Sequence, residues 1–268
     1  MPKVAETLYA VDAALEAEEF ERALSLADAG VREHPDDPDL HAAYAESLWA
    51  LGDLADARGA YEEAVRLAPR AWELWADLAR LLYELADFAA SKRAAEHSAE
   101  IEASPEVFDL LCLLADREGD FERADACARR AHALAPKSFP LPVRLSAEEF
   151  SAAVREALDE IPERFQEALQ NEVAILVEPV PALEILNLES PPLDPQLLGL
   201  YVGVPLPERK SATMRSDLPD RIYLFQRNLE HETTSRDELV EQIRITLFHE
   251  VGHYFGFSDE DLEERDFG

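Results

Sequence analysis

The stretch that decides the fold of the first half runs from Gly52 to Pro69 and reads GDLADARGAYEEAVRLAP. It opens with three turn residues, of which the last is apolar. A small residue follows three positions after that apolar residue, and the stretch ends on a proline that stops the helix. Similar stretches begin at Glu18, Ala86 and Gly119, and three of the four end on proline. Their apolar turn residues are spaced 34, 34 and 33 residues apart: Phe20, Leu54, Phe88 and Phe121. The pattern therefore predicts repeated helix pairs that cross closely at the small residues.

This period resembles that of tetratricopeptide repeats over residues 4–136, in about four units. The large position of the first helix holds Trp75 and Phe108 in the last two units, whereas the first unit departs there with Thr7. The first helix of a repeat also has a position that usually holds a small residue. No unit has glycine there; the residues at this position are Val11, Ala45, Ala79 and Cys112. The resemblance implies an α-helical superhelix over residues 1–136, whose concave face binds a peptide or partner protein. The alternative is an array that is only a spacer or a dimerisation platform.

The chain is strongly acidic, with 57 Asp and Glu residues against 25 Lys and Arg and a net charge of -32. Such a surface disfavours nucleic acid and anionic membranes and favours a basic partner. The two cysteines, Cys112 and Cys127, lack CxxC spacing and fit a reducing compartment. The N-terminal residues lack the basic start and apolar run of a secretory signal, and no stretch is apolar enough for a membrane helix. We therefore expect a cytoplasmic protein.

Residues 137–145 (KSFPLPVRL) contain two prolines and predict a linker, which puts the second domain at residues 146–268. Ser146 and Glu149 have the spacing of a capping box, so a helix is expected to begin there and reach Ile161. The remaining predicted elements are a short helix over 162–169, strands over 172–179, 198–204 and 221–227, a helix over 238–255 capped by Ser235, and an acidic helix over 259–265.

The last long helix leads into HEVGHYFGFSD, residues 249–259. On a helix, His249 and His253 lie on one face and can present two imidazole nitrogens to one metal ion. Glu250 lies beside the first of them, where it can take a proton from a metal-bound water. Gly256 can end the helix and reverse the chain, because glycine reaches left-handed conformations cheaply. Asp259 is then close enough in sequence to be a third ligand.

The alternative for these polar side chains is a stripe on an ordinary buried helix. Buried histidines and glutamates need partners, however, and a metal ion supplies one. A glutamate on a later helix is a second option for the third ligand, but the tail leaves little room for such a helix; its candidates are Glu260, Glu263 and Glu264.

From about residue 146 to residue 262, the chain resembles the small bacterial zincin-like metallopeptidases, often described as minimal zincins. The resemblance rests on collinear segments: FSAAVREALDEIPERF, NEVAILVEP, LLGLYVGVPLPER, LPDRIYLFQRNLE and ITLFHEVGHYFGFSDEDL. It implies a compact α/β domain with a short mixed sheet beside the active-site helix. It also implies one zinc ion (Zn2+) per chain, held by His249, His253 and Asp259. Glu250 is then the catalytic base.

Together these features predict a zinc-dependent metallopeptidase whose repeat half recruits a protein partner or substrate. The run RIYLFQR, residues 221–227, is expected at a sheet edge, where it can pair with an extended substrate. The motif also resembles that of metzincins, but their methionine turn is missing, since Met1 and Met214 both precede the motif. The alternative function is a non-catalytic protein-interaction module with a structural or vestigial metal site.

Overall fold

The computed structural model describes residues 2–161, 173–207, 220–258 and 261. The chain divides into two compact units, Met1–Phe139 with Leu186–Leu193 and Pro140–Ile185 with Asp194–Gly268. Within the described ranges, no helix is long and apolar enough to cross a membrane.

The described part of Met1–Phe139 folds into eight helices, as the repeats predict. Their bounds are α1 Pro2–Glu16, α2 Phe20–Glu33, α3 Pro38–Ala50, α4 Leu54–Leu67, α5 Trp72–Glu84, α6 Phe88–Ile101, α7 Pro105–Glu118 and α8 Phe121–Leu134. Each odd-numbered helix packs on the helix that follows it. First helices of neighbouring repeats also approach each other, α1 with α3 and α5 with α7, as expected for the inner layer of a superhelix.

The turn inside each repeat has one residue in the left-handed region. It is Gly52 (φ 82°) and Gly119 (φ 73°) in two repeats, but Glu18 (φ 57°) and Ala86 (φ 56°) in the other two. The next amide closes the turn on the carbonyl five residues back, as Asp87 N–H does on Leu82 at 2.9 Å. A side chain in this region costs about 1–2 kcal/mol, so the packing of the repeat imposes the turn even where no glycine is present.

The small residues of the repeats lie where the two helices of each pair cross. All eight are fully buried: Val11, Ala23, Ala45, Ala57, Ala79, Ser91, Cys112 and Ala124. In the third repeat the Ser91 hydroxyl donates to the Ala79 carbonyl oxygen at 2.7 Å, which links the two crossing positions directly. These findings confirm the helix-crossing role that the sequence predicts.

The second unit contains short strands and helices around one apolar core. Its described elements are α9 Ala147–Asp159, β1 Val173–Glu178, β2 Gly199–Val202, β3 Asp220–Phe225, α11 Gln226–His231 and α12 Arg236–Tyr254. The short helix α10, Leu183–Leu186, begins in this unit, and its last residue belongs to the first unit. The capping box of Ser146 and Glu149 is present. Helices α10 and α11 are not among the elements that the sequence predicts. Its predicted helix over 162–169 lies outside the described residues, as does the helix over 259–265 except for Asp261.

Among the described residues, the sheet has the order β1–β3–β2. Strand β3 pairs in parallel with β1 and antiparallel with β2, so the sheet is mixed, as the family resemblance implies. The expectation that the run 221–227 forms an edge strand is wrong, because β3 is bonded on both sides. Ile222 and Leu224 are fully buried in one core with residues of α9 and α12. Their burial favours a central position for β3 in the sheet.

The residues on either side of position 140 form hydrogen bonds within their own units. His132 Nδ1 lies 2.9 Å from the Phe139 carbonyl oxygen, and Val143 N–H donates to the Thr233 carbonyl at 2.9 Å. Leu145 N–H donates to the Glu230 carboxylate at 3.1 Å.

Glu230 is fully buried, and this burial raises the pKa of its carboxyl above the ordinary range. The nearest guanidinium nitrogens belong to Arg144 at 3.4 Å and Arg227 at 3.5 Å.

Candidate metal centre

The candidate ligands lie near the end of α12. This helix begins at a Ser235 cap, whose side chain accepts from the Glu238 amide at 3.3 Å. The ridge formed by Leu239, Ile243, Leu247 and Val251 is buried in the core of the second unit. Helical spacing puts His249 and His253 together on another face, where both remain partly exposed. Their ring centroids are 4.7 Å apart, with ring planes at 83°.

A left-handed turn ends α12 directly after His253. Gly256 has φ 86°, its N–H donates to the His253 carbonyl at 2.9 Å, and Phe257 N–H donates to the Gly252 carbonyl at 3.1 Å. This pair of bonds is the Schellman arrangement. A Cβ atom at residue 256 would lie 2.8 Å from Pro207 Cγ. The helix therefore stops and the chain turns back, as the sequence predicts for Gly256.

The reversed chain orients the second histidine. His253 Nδ1 lies 3.1 Å from the carbonyl oxygen of Phe257. Because a carbonyl only accepts, Nδ1 carries the proton and donates it in this bond. In that tautomer the lone pair is on Nε2, the nitrogen by which this ring would bind a metal ion. Metal-binding histidines usually have such a partner on their other nitrogen, so this side chain fits a ligand role.

The carboxylate of Glu250 is held by the sheet. Glu250 is only 7% exposed, and its Oε2 accepts the backbone N–H of Tyr201 in β2 at 2.6 Å. The phenol of Tyr201 donates to Asp220 Oδ2 at 3.2 Å, and its ring packs edge-on against Tyr254. A buried carboxylate needs donors of this kind. The role of Tyr201 was not predictable from the sequence, because a backbone donor leaves no signature in residue type.

Strand β2 comes unusually close to α12 at Gly199. A Cβ atom there would lie 2.6 Å from Thr246 Cγ2, 3.1 Å from the Tyr223 carbonyl oxygen and 3.2 Å from Glu250 Cγ. The absence of a side chain is what allows strand and helix to approach this closely. A glycine inside a predicted strand was the available signal for this contact, although the strand predicted over 198–204 contains Gly203 as well as Gly199.

The expected third ligand, Asp259, lies outside the described residues. Among the residues that are described, no group of three His, Cys, Asp or Glu side chains could hold a metal ion. Ser258, the residue before it, forms reciprocal bonds with Asp261: the Ser258 N–H donates to Asp261 Oδ2 at 3.1 Å and the Asp261 N–H to Ser258 Oγ at 3.3 Å. The assignment of Asp259 therefore stays a prediction.

A group of acidic side chains lies on the first helices of the repeats. Asp77 on α5 is partly buried, and this burial, together with the charge of Glu46 on α3, raises its pKa to about 6, although Arg80 opposes the shift. These acids belong to the layer in which neighbouring first helices approach one another. The first helices of the repeats thus bring acidic side chains close enough together for the charge of Glu46 to raise the pKa of Asp77.

Both halves match known families. A family model described as a zincin-like metallopeptidase matches residues 170–268, and a tetratricopeptide repeat model matches residues 10–72 and 42–106. These matches confirm both resemblances and the fold class of each half. Among curated proteins, none matches this chain.

Several solved structures are similar to this chain. TTC0263, a thermophilic TPR protein of Thermus thermophilus, is 20% identical, with 50% of this chain and 75% of that chain covered and a TM-score of 0.46. The MamA structure MSR-1 C2 is 15% identical, with coverages of 50% and 78% and a TM-score of 0.44. The APC/C hetero-tetramer Cut9–Hcn1 is also 15% identical, with coverages of 62% and 32% and a TM-score of 0.47.

Proposed function

We propose that this chain, which carries tetratricopeptide repeats and a zincin-like metallopeptidase domain, is a zinc-dependent metallopeptidase whose repeats recruit a protein partner or substrate. The observation that carries the proposal is the pair of imidazoles on one face of α12, with ring centroids 4.7 Å apart and Glu250 next to the first in the chain. The Nδ1 proton of His253, directed to the Phe257 carbonyl, supports a ligand role for Nε2.

In this proposal His249, His253 and Asp259 hold one zinc ion. When bound, zinc lowers the pKa of a coordinated water and polarises the carbonyl of the scissile peptide bond. Glu250 accepts a proton from the attacking water at its carboxylate and later donates that proton to the leaving amine. The Tyr201 N–H at 2.6 Å supports this role, because it holds one carboxylate oxygen in a defined direction.

Recruitment is the role proposed for the repeats. The acids on the inner layer, Glu46 and Asp77 among them, favour a basic or extended partner by charge complementarity. A partner held by the repeats has a raised effective concentration at the peptidase half. Capture by residues 1–139, compared with capture by residues 140–268, tests this role. A partner retained only by residues 140–268 would overturn it.

One observation favours a second candidate, a non-catalytic interaction module with a structural or vestigial metal site. Glu250 is buried and bonded to β2, so its carboxylate also has a structural task that a protein without turnover would retain. The two candidates predict different results for a substitution that removes the charge of Glu250 but keeps the shape of its side chain. Such a substitution lowers the rate of peptide hydrolysis only if the protein is a peptidase.

The test is Glu250→Gln in the full chain, with cleavage of an unstructured protein or a peptide library followed by mass spectrometry. The variant is expected to keep its zinc and its circular dichroism and to lose at least about 100-fold in hydrolysis, since glutamine cannot accept the proton. Glu241→Gln, on an exposed part of the same helix, is the matched control and keeps full activity. Zinc binding without cleavage by the wild type would support the non-catalytic module.

A further inference from the structure

Among the described residues, strand β2 has β3 on one side only, and alternate backbone groups of β2 face the other side. The Leu198 carbonyl accepts from the Phe225 amide at 2.9 Å, so residue 198 and every second residue after it face β3. Gly199 and Tyr201 therefore direct their N–H and C=O groups away from β3. Within the described residues, β2 is an edge strand, and its outward direction is the one in which Glu250 lies.

The Tyr201 amide is thus the donor that the edge strand offers to the proposed base. Its N–H meets Glu250 Oε2 at 2.6 Å, and that carboxylate is 7% exposed. A bond from an amide to a carboxylate is charge-assisted and therefore short and directional. It fixes the torsion of a side chain that would otherwise rotate between staggered positions.

Gly199 determines whether this bond can form. Two residues before Tyr201, the strand backbone passes so close to α12 that a Cβ atom at residue 199 would lie 2.6 Å from Thr246 Cγ2. Thr246 is buried, and the Tyr223 carbonyl at 3.1 Å closes the other side. The same Cβ atom would lie 3.2 Å from Glu250 Cγ, so we expect a side chain at residue 199 to displace β2 or the Glu250 side chain and to lengthen the contact between Tyr201 and Glu250.

We propose that β2 is a positioning element for the base: the backbone N–H of Tyr201 aims the Glu250 carboxylate, and Gly199 sets the distance between strand and helix that makes this possible. Gly199 and Tyr201 are positioning residues, since they act through Glu250. The part of the inference that concerns turnover rests on the proposed peptidase function. The hydrogen bond itself and the role of Gly199 in forming it do not depend on catalysis.

Amide hydrogen exchange, followed by NMR on the metal-free full chain, tests the bond without reference to activity. An outward N–H of an edge strand exchanges quickly unless something accepts it, so Glu250→Ala should speed exchange at Tyr201 by about tenfold or more. Glu241→Ala, on the same helix, should leave it unchanged. Equal exchange in wild type and Glu250→Ala would overturn the proposed bond, whatever the enzyme does.

Gly199→Ala tests the spacing. The variant should also exchange faster at Tyr201, and with zinc bound its kcat should fall by about 10–100-fold with little change in KM, because the base is displaced rather than removed. Gly59→Ala, where a Cβ meets nothing within 4 Å, controls for the substitution itself. Adding Thr246→Ala removes the nearest obstacle and should return slow exchange and most of the lost kcat.

The outcomes separate the two proposals. Faster exchange in Gly199→Ala that Thr246→Ala reverses supports the positioning element even if no variant, nor the wild type, cleaves any peptide; in that case only the peptidase function fails. Unchanged exchange in a folded Gly199→Ala variant overturns the role of Gly199. If Gly199→Ala does not fold, as circular dichroism will show, the Gly199→Ala/Thr246→Ala double variant and the Glu250→Ala exchange measurement decide the question.

Discussion

The Nδ1 atom of His253 lies 3.1 Å from the carbonyl oxygen of Phe257, four residues later in the chain. This bond exists because α12 ends in a left-handed turn at Gly256, with φ 86°. The turn brings the chain back over the last turn of the helix, so that a main-chain carbonyl selects the tautomer of a side chain in the proposed metal site. The helix end and the proposed metal site are therefore one structural feature.

Gly256→Ala is expected to weaken zinc binding by about 10–100-fold, the usual effect of losing the partner of a metal-binding histidine. The alanine is strained at this φ by about 1–2 kcal/mol, and its Cβ would also meet Pro207 Cγ at 2.8 Å. Competition with a zinc chelator measures the change. Gly52→Ala has a similar φ of 82° and no atom within 4 Å, so it should lower stability without changing zinc affinity.

The zinc content of the purified chain tests the ligand set. We expect about one zinc per wild-type chain and none retained tightly by His249→Ala or His253→Ala. Asp259→Asn should weaken binding as well, because an amide is a poorer ligand than a carboxylate. Inductively coupled plasma mass spectrometry after dialysis gives the stoichiometry. Full zinc occupancy in His253→Ala would exclude the site, and an unchanged affinity in Asp259→Asn would exclude only the third ligand.

Stability of the repeat half should depend on pH through Asp77, whose folded-state pKa is raised from 3.8 to about 6. The folded state holds this proton more tightly than the unfolded state, so the contribution is fully present below about pH 3.8 and is lost as the pH rises to about 6. Asp77→Asn should therefore stabilise residues 1–139 at pH 7.5 by about 1–3 kcal/mol, and by less at pH 4. Thermal unfolding at both pH values measures this. Asp56→Asn, at an exposed position on α4, should show no such difference.

Glu230→Ala should destabilise the second unit by about 3 kcal/mol, because it removes a buried carboxylate that several donors contact. These donors are the Leu145 amide at 3.1 Å and the Gln226 side chain at 2.7 Å, with the guanidinium of Arg144 at 3.4 Å. Urea unfolding of the full chain, followed by a probe in the second unit, gives the magnitude. Glu232→Ala, at an exposed position two residues on, should change stability little. Similar effects from both variants would contradict the structural role of Glu230.

The sequence predicts well those features that depend on side-chain type and spacing. The repeat helices, the eight buried small positions, the Ser146 capping box and the helix that carries His249 and His253 all lie where periodicity and capping chemistry put them. The left-handed backbone conformation of Glu18 and Ala86 is a feature that side-chain type does not predict. Their φ values of 57° and 56° follow from packing, and nothing in the residue type indicates them.

Features that depend on tertiary neighbours were not predictable from the pattern. The order of the strands is one, since a run with a short apolar middle and polar ends, such as 221–227, is compatible with a central strand and with an edge strand, and the structure puts β3 in the centre. The donor to Glu250 is another, because the Tyr201 N–H is a main-chain group that every residue except proline has. The strand order and the donor to Glu250 both depend on how β2 and β3 pack beside α12.

An open sheet edge invites strands from other molecules, and β2 is such an edge among the described residues. Natural proteins protect these edges with short strands, prolines and charges that point into the unpaired row. Strand β2 has four residues, Pro205 follows three positions after it, and the carboxylate of Glu250 occupies the outward N–H of Tyr201. We therefore expect the Glu250 carboxylate to protect this edge against edge-to-edge aggregation as well. A variant that removes its carboxylate needs light scattering beside every activity assay, since self-association by itself would look like lost turnover.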